Sequence, residues 1–241
     1  MRRALAAALL LAPGICAADS SDYSTPRHFA VELKAGPYRP DVDSQPGLAG
    51  TPYRDTFGNG DLVFSGFEFD WQILVTDVLS LGIGAGAGFF QAYAKARFED
   101  CAGPLADCTS SEYTVLNVIP FSAQAVLRLD VLPQLAGIPL TPYGKAGLDR
   151  WLWWILNGHG TSRVEGEKAA GWTNGWHLAG GLMLLLDFFE PGAATKLDQE
   201  SGINNSYLFA EILLARIDGF GDGDSLVLSD ATWNAGLALE F

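Results

Sequence analysis

The chain has 241 residues, 49% of them hydrophobic and 18% charged, with 28 glycines and a formal net charge of −13 at pH 7. That acidic balance excludes a nucleic-acid binder, which needs a basic patch to meet phosphates. After the first 18 residues no uncharged apolar run is long enough for a membrane-spanning helix, which leaves a soluble sandwich or barrel, or a membrane barrel.

Residues 1–18 read as a secretory signal peptide: Arg2 and Arg3 form the basic end, 4–12 the apolar run, and Cys16-Ala17-Ala18 a small-residue cleavage site. The run is too short to span a bilayer, and bulky Ile15 argues against a lipid anchor on Cys16. Residues 19–241 then form one domain. It keeps two cysteines, Cys101 and Cys108, whose close spacing in a loop of an exported chain suggests one small disulfide.

After a polar lead over 19–27 the chain alternates apolar and polar side chains, the period of a strand with one oily and one wet face. The first strand, 29–36, sets Phe29, Val31, Leu33 and Ala35 against Glu32 and Lys34. The second, 63–73, sets Phe67, Phe69, Trp71 and Ile73 against Glu68, Asp70 and Gln72. The third, 79–89, has Leu81, Ile83, Ala85, Ala87 and Phe89 on one face and glycine at 82, 84, 86 and 88 on the other. Such glycines weaken an open sheet, but in a narrow barrel they make room for long side chains reaching across. A fourth strand over 113–131 points Ser122, Gln124, Arg128 and Asp130 inward, and Pro120 predicts a bulge or bend.

The fifth, 140–155, carries Lys145 and Asp149 inward. Arg150 breaks its alternation, which predicts either a bulge or a snorkelling side chain, and Trp151, Trp153 and Trp154 fit an interfacial aromatic girdle. The sixth, 176–188, places His177, Ala179, Gly181 and Asp187 inward; the seventh, 207–217, places Tyr207 and Glu211 there. The eighth, 230–241, puts Trp233, Leu237, Leu239 and Phe241 on its apolar face and Glu240 on the other. The fold expected is all-β, an eight-stranded antiparallel transmembrane up-and-down barrel. Links 37–61, 98–112, 157–174 and 218–229 are the longer or more polar and belong outside the cell; 75–78 and 132–139 face the periplasm. The periplasmic link 190–205 is long, and its Pro191 start can open a short helix.

The last strand, ending on Phe241, resembles the C-terminal signal of bacterial outer-membrane barrels, which implies insertion by the barrel-assembly machinery. FAVELKAGPYRPDVDS, LMLLLDFFEPGAATKLDQESGINNSYLFAE and DGFGD resemble an uncharacterised family of myxobacterial outer-membrane β-barrel proteins. The resemblance implies fold and location, and brings no activity or catalytic residues.

The expected lumen gathers Glu32, Glu68, Asp70, Asp130, Asp149, Glu211 and Glu240 against Lys34, Arg128 and Lys145. Buried charges must be paired, so a salt-bridge network that fills the interior is the first reading. The excess of carboxylates leaves a cation-preferring path or proton-sensitive gate as the other. His159 with Ser162 and Glu165 is the one outer-loop group with the composition of a hydrolytic site, as a lipid-modifying enzyme would need. Asp41, Asp43 and Asp55 in the first outer loop, and Asp218, Asp222 and Asp224 in the last, offer oxygens for calcium; Asp and Gly are equally what tight turns use. No cofactor is expected. The partners are outer-membrane lipid and lipopolysaccharide. A structural or surface-interaction role is the leading function, with a narrow channel as its alternative and a soluble lipocalin-like barrel as the competing fold.

Overall fold

The structure, a computed structural model, describes residues 26–97, 109–158, 160–164 and 166–241. The expected signal peptide, Cys101, Cys108, His159 and Glu165 lie outside them. Eight long strands follow one another: β1 (Phe29–Tyr38), β2 (Leu62–Val75), β3 (Leu79–Arg97), β4 (Thr109–Leu129), β5 (Leu140–Asn157), β6 (Ala170–Leu185), β7 (Asn205–Arg216) and β8 (Asp230–Glu240). Each pairs antiparallel with its neighbours in sequence, and β8 pairs with β1 from Ala30 opposite Glu240 to Ala35 opposite Ala235. The sheet is therefore a closed eight-stranded barrel, and closure removes the unpaired edges that the outermost strands of an open sheet would expose.

The walls are uneven. β3, β4 and β5 run for 19, 21 and 18 residues, whereas β1, β7 and β8 have 10, 12 and 11. At the usual rise and tilt about ten residues cover an apolar band of roughly 25 Å, so the shorter strands are just sufficient and the longer ones project beyond it. The β1–β2 and β7–β8 loops fold over the low side. The first contains α1 (Pro52–Phe57), and Asp43 accepts hydrogen bonds at that helix start from the Tyr53 and Arg54 backbone N–H groups, at 2.7 and 3.0 Å. At the opposite end α2 (Pro191–Ser201) joins β6 to β7, with Pro191 at its first turn, where the missing N–H costs nothing.

Four local expectations need revising or refining. Pro120 shifts no register: the β3 ladder omits the two pairs between Phe121 and Val118 and resumes in phase, so the missing donor interrupts the ladder without a bulge. Arg150 makes no bulge. Its register is unbroken towards both β4 and β6, and the guanidinium lies outside the barrel, 5.0 Å from the centre of the Trp172 ring. Unbroken alternation through Lys145 and Asp149 then turns Trp151 and Trp153 inward, so the expected girdle keeps only Trp154 of the three. β6 starts at Ala170, six residues before the expected Trp176, because hydrogen bonding to β5 holds a stretch whose Gly171, Asn174 and Gly175 have little strand propensity.

The inner glycines of β3 serve neighbours more than opposite walls. A Cβ on Gly84 would collide with the Asp70 carboxylate, and one on Gly88 would lie 2.5 Å from the Phe64 ring, both on adjacent β2. Glycine here lets β2 side chains lie flat over β3.

Candidate functional site

The interior is filled in layers. Around the middle, four carboxylates surround three cations. Arg128 donates to Glu32 at 2.9 Å and to Asp70 at 2.6 Å. Lys34 donates to Glu68 and, at 2.8 Å, to Glu211. Lys145 donates to both Glu32 and Glu68, stands 3.5 Å from Glu211, and lies 5.3 Å from the Tyr143 ring centre and 5.7 Å from that of Phe209. These seven side chains come from β1, β2, β4, β5 and β7, so the layer ties opposite walls together. Lys145, Glu32 and Glu211 are sealed from solvent, where an unpaired charge would be prohibitive.

Towards the mouth that these loops cover, a second chain of contacts leads off this layer. Gln124 donates its amide to Glu68 at 3.0 Å and to Asp70 at 3.4 Å, which fixes its oxygen on the other side, 3.1 Å from His177 Nε2. His177 Nδ1 lies 2.7 Å from Asp149, whose other oxygen accepts the Trp151 indole N–H at 3.2 Å. Towards the α2 end of the barrel, Glu240 accepts from Gln72, from Asn205 and from the Tyr207 hydroxyl, while Arg27 donates to Asp130 at 3.3 Å and stands 3.6 Å from Glu240. The ten lumen residues expected from sequence thus fall into a central cluster of seven, a contact at Asp149 on the side of the plug and a pair at the α2 end, Asp130 and Glu240. Sequence reading missed Arg27, which precedes the first strand and so carries no alternation signal. It also missed Thr141 and Tyr143, which hydrogen-bond Asp130 and Glu211 and which the parity of Lys145 would have exposed.

Above the charges lies an apolar plug. Phe90, Val118, Leu116, Trp151, Ile217 and Leu228 are buried with Tyr38 and Tyr53, and α1 adds Phe57 from above. Tyr38 crosses Phe90 edge to face at 4.6 Å and donates its hydroxyl to the Leu228 carbonyl at 2.8 Å, joining β1 to the last loop. Burial pushes the Tyr53 hydroxyl up to about 12. The last loop is fastened to the mouth by Thr173 Oγ1 donating to the Leu226 carbonyl at 3.0 Å and by the Asp41 N–H donating to Ser229 at 3.0 Å.

The acidic loop residues act as turn acceptors. Asp218 accepts from Arg216 at 2.9 Å and from the Gly221 N–H at 3.2 Å, and this Arg216 contact holds its carboxyl below the usual range. Asp222 accepts from the Asp224 N–H at 3.3 Å and from Ser225. Among the described residues no three His, Cys, Asp or Glu side chains gather as a metal would require. Trp233 and Leu237 point outward and exposed on β8, and the Phe241 N–H donates to Phe29 at 2.8 Å beside the β1 junction.

Geometry and packing define the class: a closed antiparallel barrel with a filled lumen, large apolar side chains over the outside of its strands, and folded loops over one mouth. No family model matches the chain, and no curated protein does. Among solved structures the chain is similar to the outer membrane protein OprG from Pseudomonas aeruginosa, at 11% identity and a TM-score of 0.47, covering 90% of this chain and 97% of that one. It is also similar to the attachment invasion locus protein Ail of Yersinia pestis, at 10% identity and a TM-score of 0.40 over 91% and 100% of the two chains. Neisserial surface protein A matches at 11% identity and 0.41, over 88% and 94%.

Proposed function

We propose that the chain is a small integral outer-membrane barrel whose role is structural or interactive, the barrel anchoring outer loops that meet a partner or stiffen the envelope. The observation that carries this reading is the division of side chains between two faces. Phe67, Phe69, Trp71, Ile83, Leu148, Leu182, Ile212 and Leu237 stand exposed on the outside of the strands, while Glu32, Asp70, Lys145 and Glu211 are buried inside. In water this arrangement is inverted on both counts; in lipid it satisfies both. The same division argues against a soluble lipocalin-like barrel, and the filled lumen argues against a solute path.

The resemblance of three sequence blocks to myxobacterial outer-membrane barrels supports placing the chain with them. Trp233, Leu237, Leu239 and Phe241 would be read by the assembly machinery during insertion. Migration of unheated and boiled membrane fractions on a denaturing gel tests the reading. A faster unheated band confined to the outer-membrane fraction is expected, and recovery from the soluble periplasm without a shift would overturn it.

A further inference from the structure

We propose that the tall wall of β3, β4 and β5 is an interface at which two copies of this chain pair side by side, about a two-fold axis running along β4. This rests on the membrane reading above. Its starting point is an apolar wall of unequal height. On the short side the outward ladder of β8 runs from Phe241 to Ala231, which at the usual rise and tilt spans roughly 25 Å, one apolar band. On β4 the outward ladder runs from Leu129 to Tyr113, and on β5 from Leu140 to Leu156, each roughly 40 Å by the same measure. Asn117 and Arg150 are the polar exceptions along those two ladders. Tilting a cylinder moves its band up one side and down the other; it cannot lengthen one side alone. About 15 Å of mostly apolar wall therefore stands beyond the band that the short side fits, and thickening the bilayer there costs free energy for every ångström.

A second copy fits this wall because it carries the same wall to the same height above the same bilayer, so each overshoot meets an equal one. The face is also shaped for close approach. Ala85, Ala123, Ala125 and Ala146 adjoin at outward positions within the band, and small side chains let backbones come together in lipid. Above them stand Tyr93 and Tyr113, 61% and 52% exposed, with Trp154 beside them, large rings of the kind enriched at interface centres. Asn117 lies among them at an outward position. It is buried, its oxygen accepts from Gln91 at 2.6 Å, and its Nδ2 has no partner among the described residues; an acceptor brought by a second copy would satisfy it. A strip three strands wide and roughly 40 Å tall offers about 600 Å² per copy, or about 1,200 Å² in all, the lower bound of a stable interface.

Register says which residues would meet. Following partners once round the barrel from Ala30, by way of Asp70, Gln124 and His177, leads to Asp230, although Ala30 itself pairs with Glu240. The stagger from Glu240 to Asp230 is ten residues over eight strands, a little over one residue per strand. Tyr93 pairs with Val115, and Val115 with Leu156. Across those two steps the stagger raises the line by about two and a half residues, so Trp154 stands level with Tyr93 on the other flank of β4. A two-fold axis along β4 then sets Tyr93 of one copy against Trp154 of the other, and does so twice. The charged side chains described on this face are Lys95 and Arg150, on opposite flanks. The axis brings the Lys95 flank of one copy to the Arg150 flank of the other, but the same stagger separates the two in height by roughly 13 Å, so like charges do not meet.

The test is sedimentation equilibrium of the refolded full chain in density-matched micelles. The wild type should sediment as a dimer. A123W and A125W, which crowd the line of closest approach, should each raise the dimer dissociation constant at least about tenfold. A second measurement fixes the face. In a C101S/C108S background, Y93C mixed with W154C should form a disulfide-linked dimer under mild oxidation, and neither variant should do so alone. A monomeric wild type, a dimer indifferent to both tryptophans, or a dimer without the mixed cross-link would each overturn the interface. Every variant is checked for the heat-dependent gel shift, which shows that the barrel itself has closed. A wild type without that shift defeats the membrane reading and the interface with it; a normal shift with a monomeric chain defeats the interface alone.

Discussion

Replacing Lys145 with methionine is expected to lower the stability of the refolded barrel by about 3–5 kcal/mol, the usual cost of leaving a buried carboxylate unpaired. Lys145 is sealed from solvent and touches three carboxylates, Glu32, Glu68 and Glu211. Without it, Arg128 and Lys34 would remain to neutralise four acids in one layer. Methionine keeps most of the stem and its contact with Tyr143 and Phe209, so the loss isolates the charge. Adding E32Q to K145M should recover part of the stability, because it removes one of the stranded acids while leaving Arg128 paired with Asp70. Urea titration in lipid vesicles measures both. A loss below about 1 kcal/mol would mean the layer is hydrated as exposed pairs are.

Phe90→Ala is expected to cost a comparable 3–5 kcal/mol through a different mechanism, the removal of a fully buried ring. Phe90 supports Tyr38, and Tyr38 holds the last loop through its bond to Leu228. The void would therefore loosen the seating of Tyr53, Phe57 and Leu228 as well as the plug. Limited proteolysis should show faster cleavage in loops 39–61 and 217–229, with the heat-dependent gel shift preserved because the sheet stays closed. Unchanged cleavage would mean that the loops are held independently of the plug.

Much of this was legible because a barrel strand repeats every two residues. The pairing of Glu32 with Lys34 on one face, and of Glu68 with Asp70, announced a charged interior before any register was known. What alternation cannot show is which layer a residue occupies. Phe64, Leu213 and Ala215 share their inner faces with Glu68 and Glu211, and only the stagger set by closure lifts them into the plug beside Phe90 and Trp151. Trp151 and Trp153 misled because three tryptophans within four residues look like a girdle, although parity from Lys145 already sent two of them inward. The start of β6 was hidden for the opposite reason: Gly171, Asn174 and Gly175 are strand residues only because β5 pairs with them.

The most direct measurement is conductance of the refolded full chain in planar bilayers at neutral pH. A lumen closed by seven interlocked charges in the middle and an aromatic plug above them predicts no steady current steps. Regular, cation-selective steps would show that the charged layer opens to solvent, contradicting the sealed barrel and restoring the channel reading.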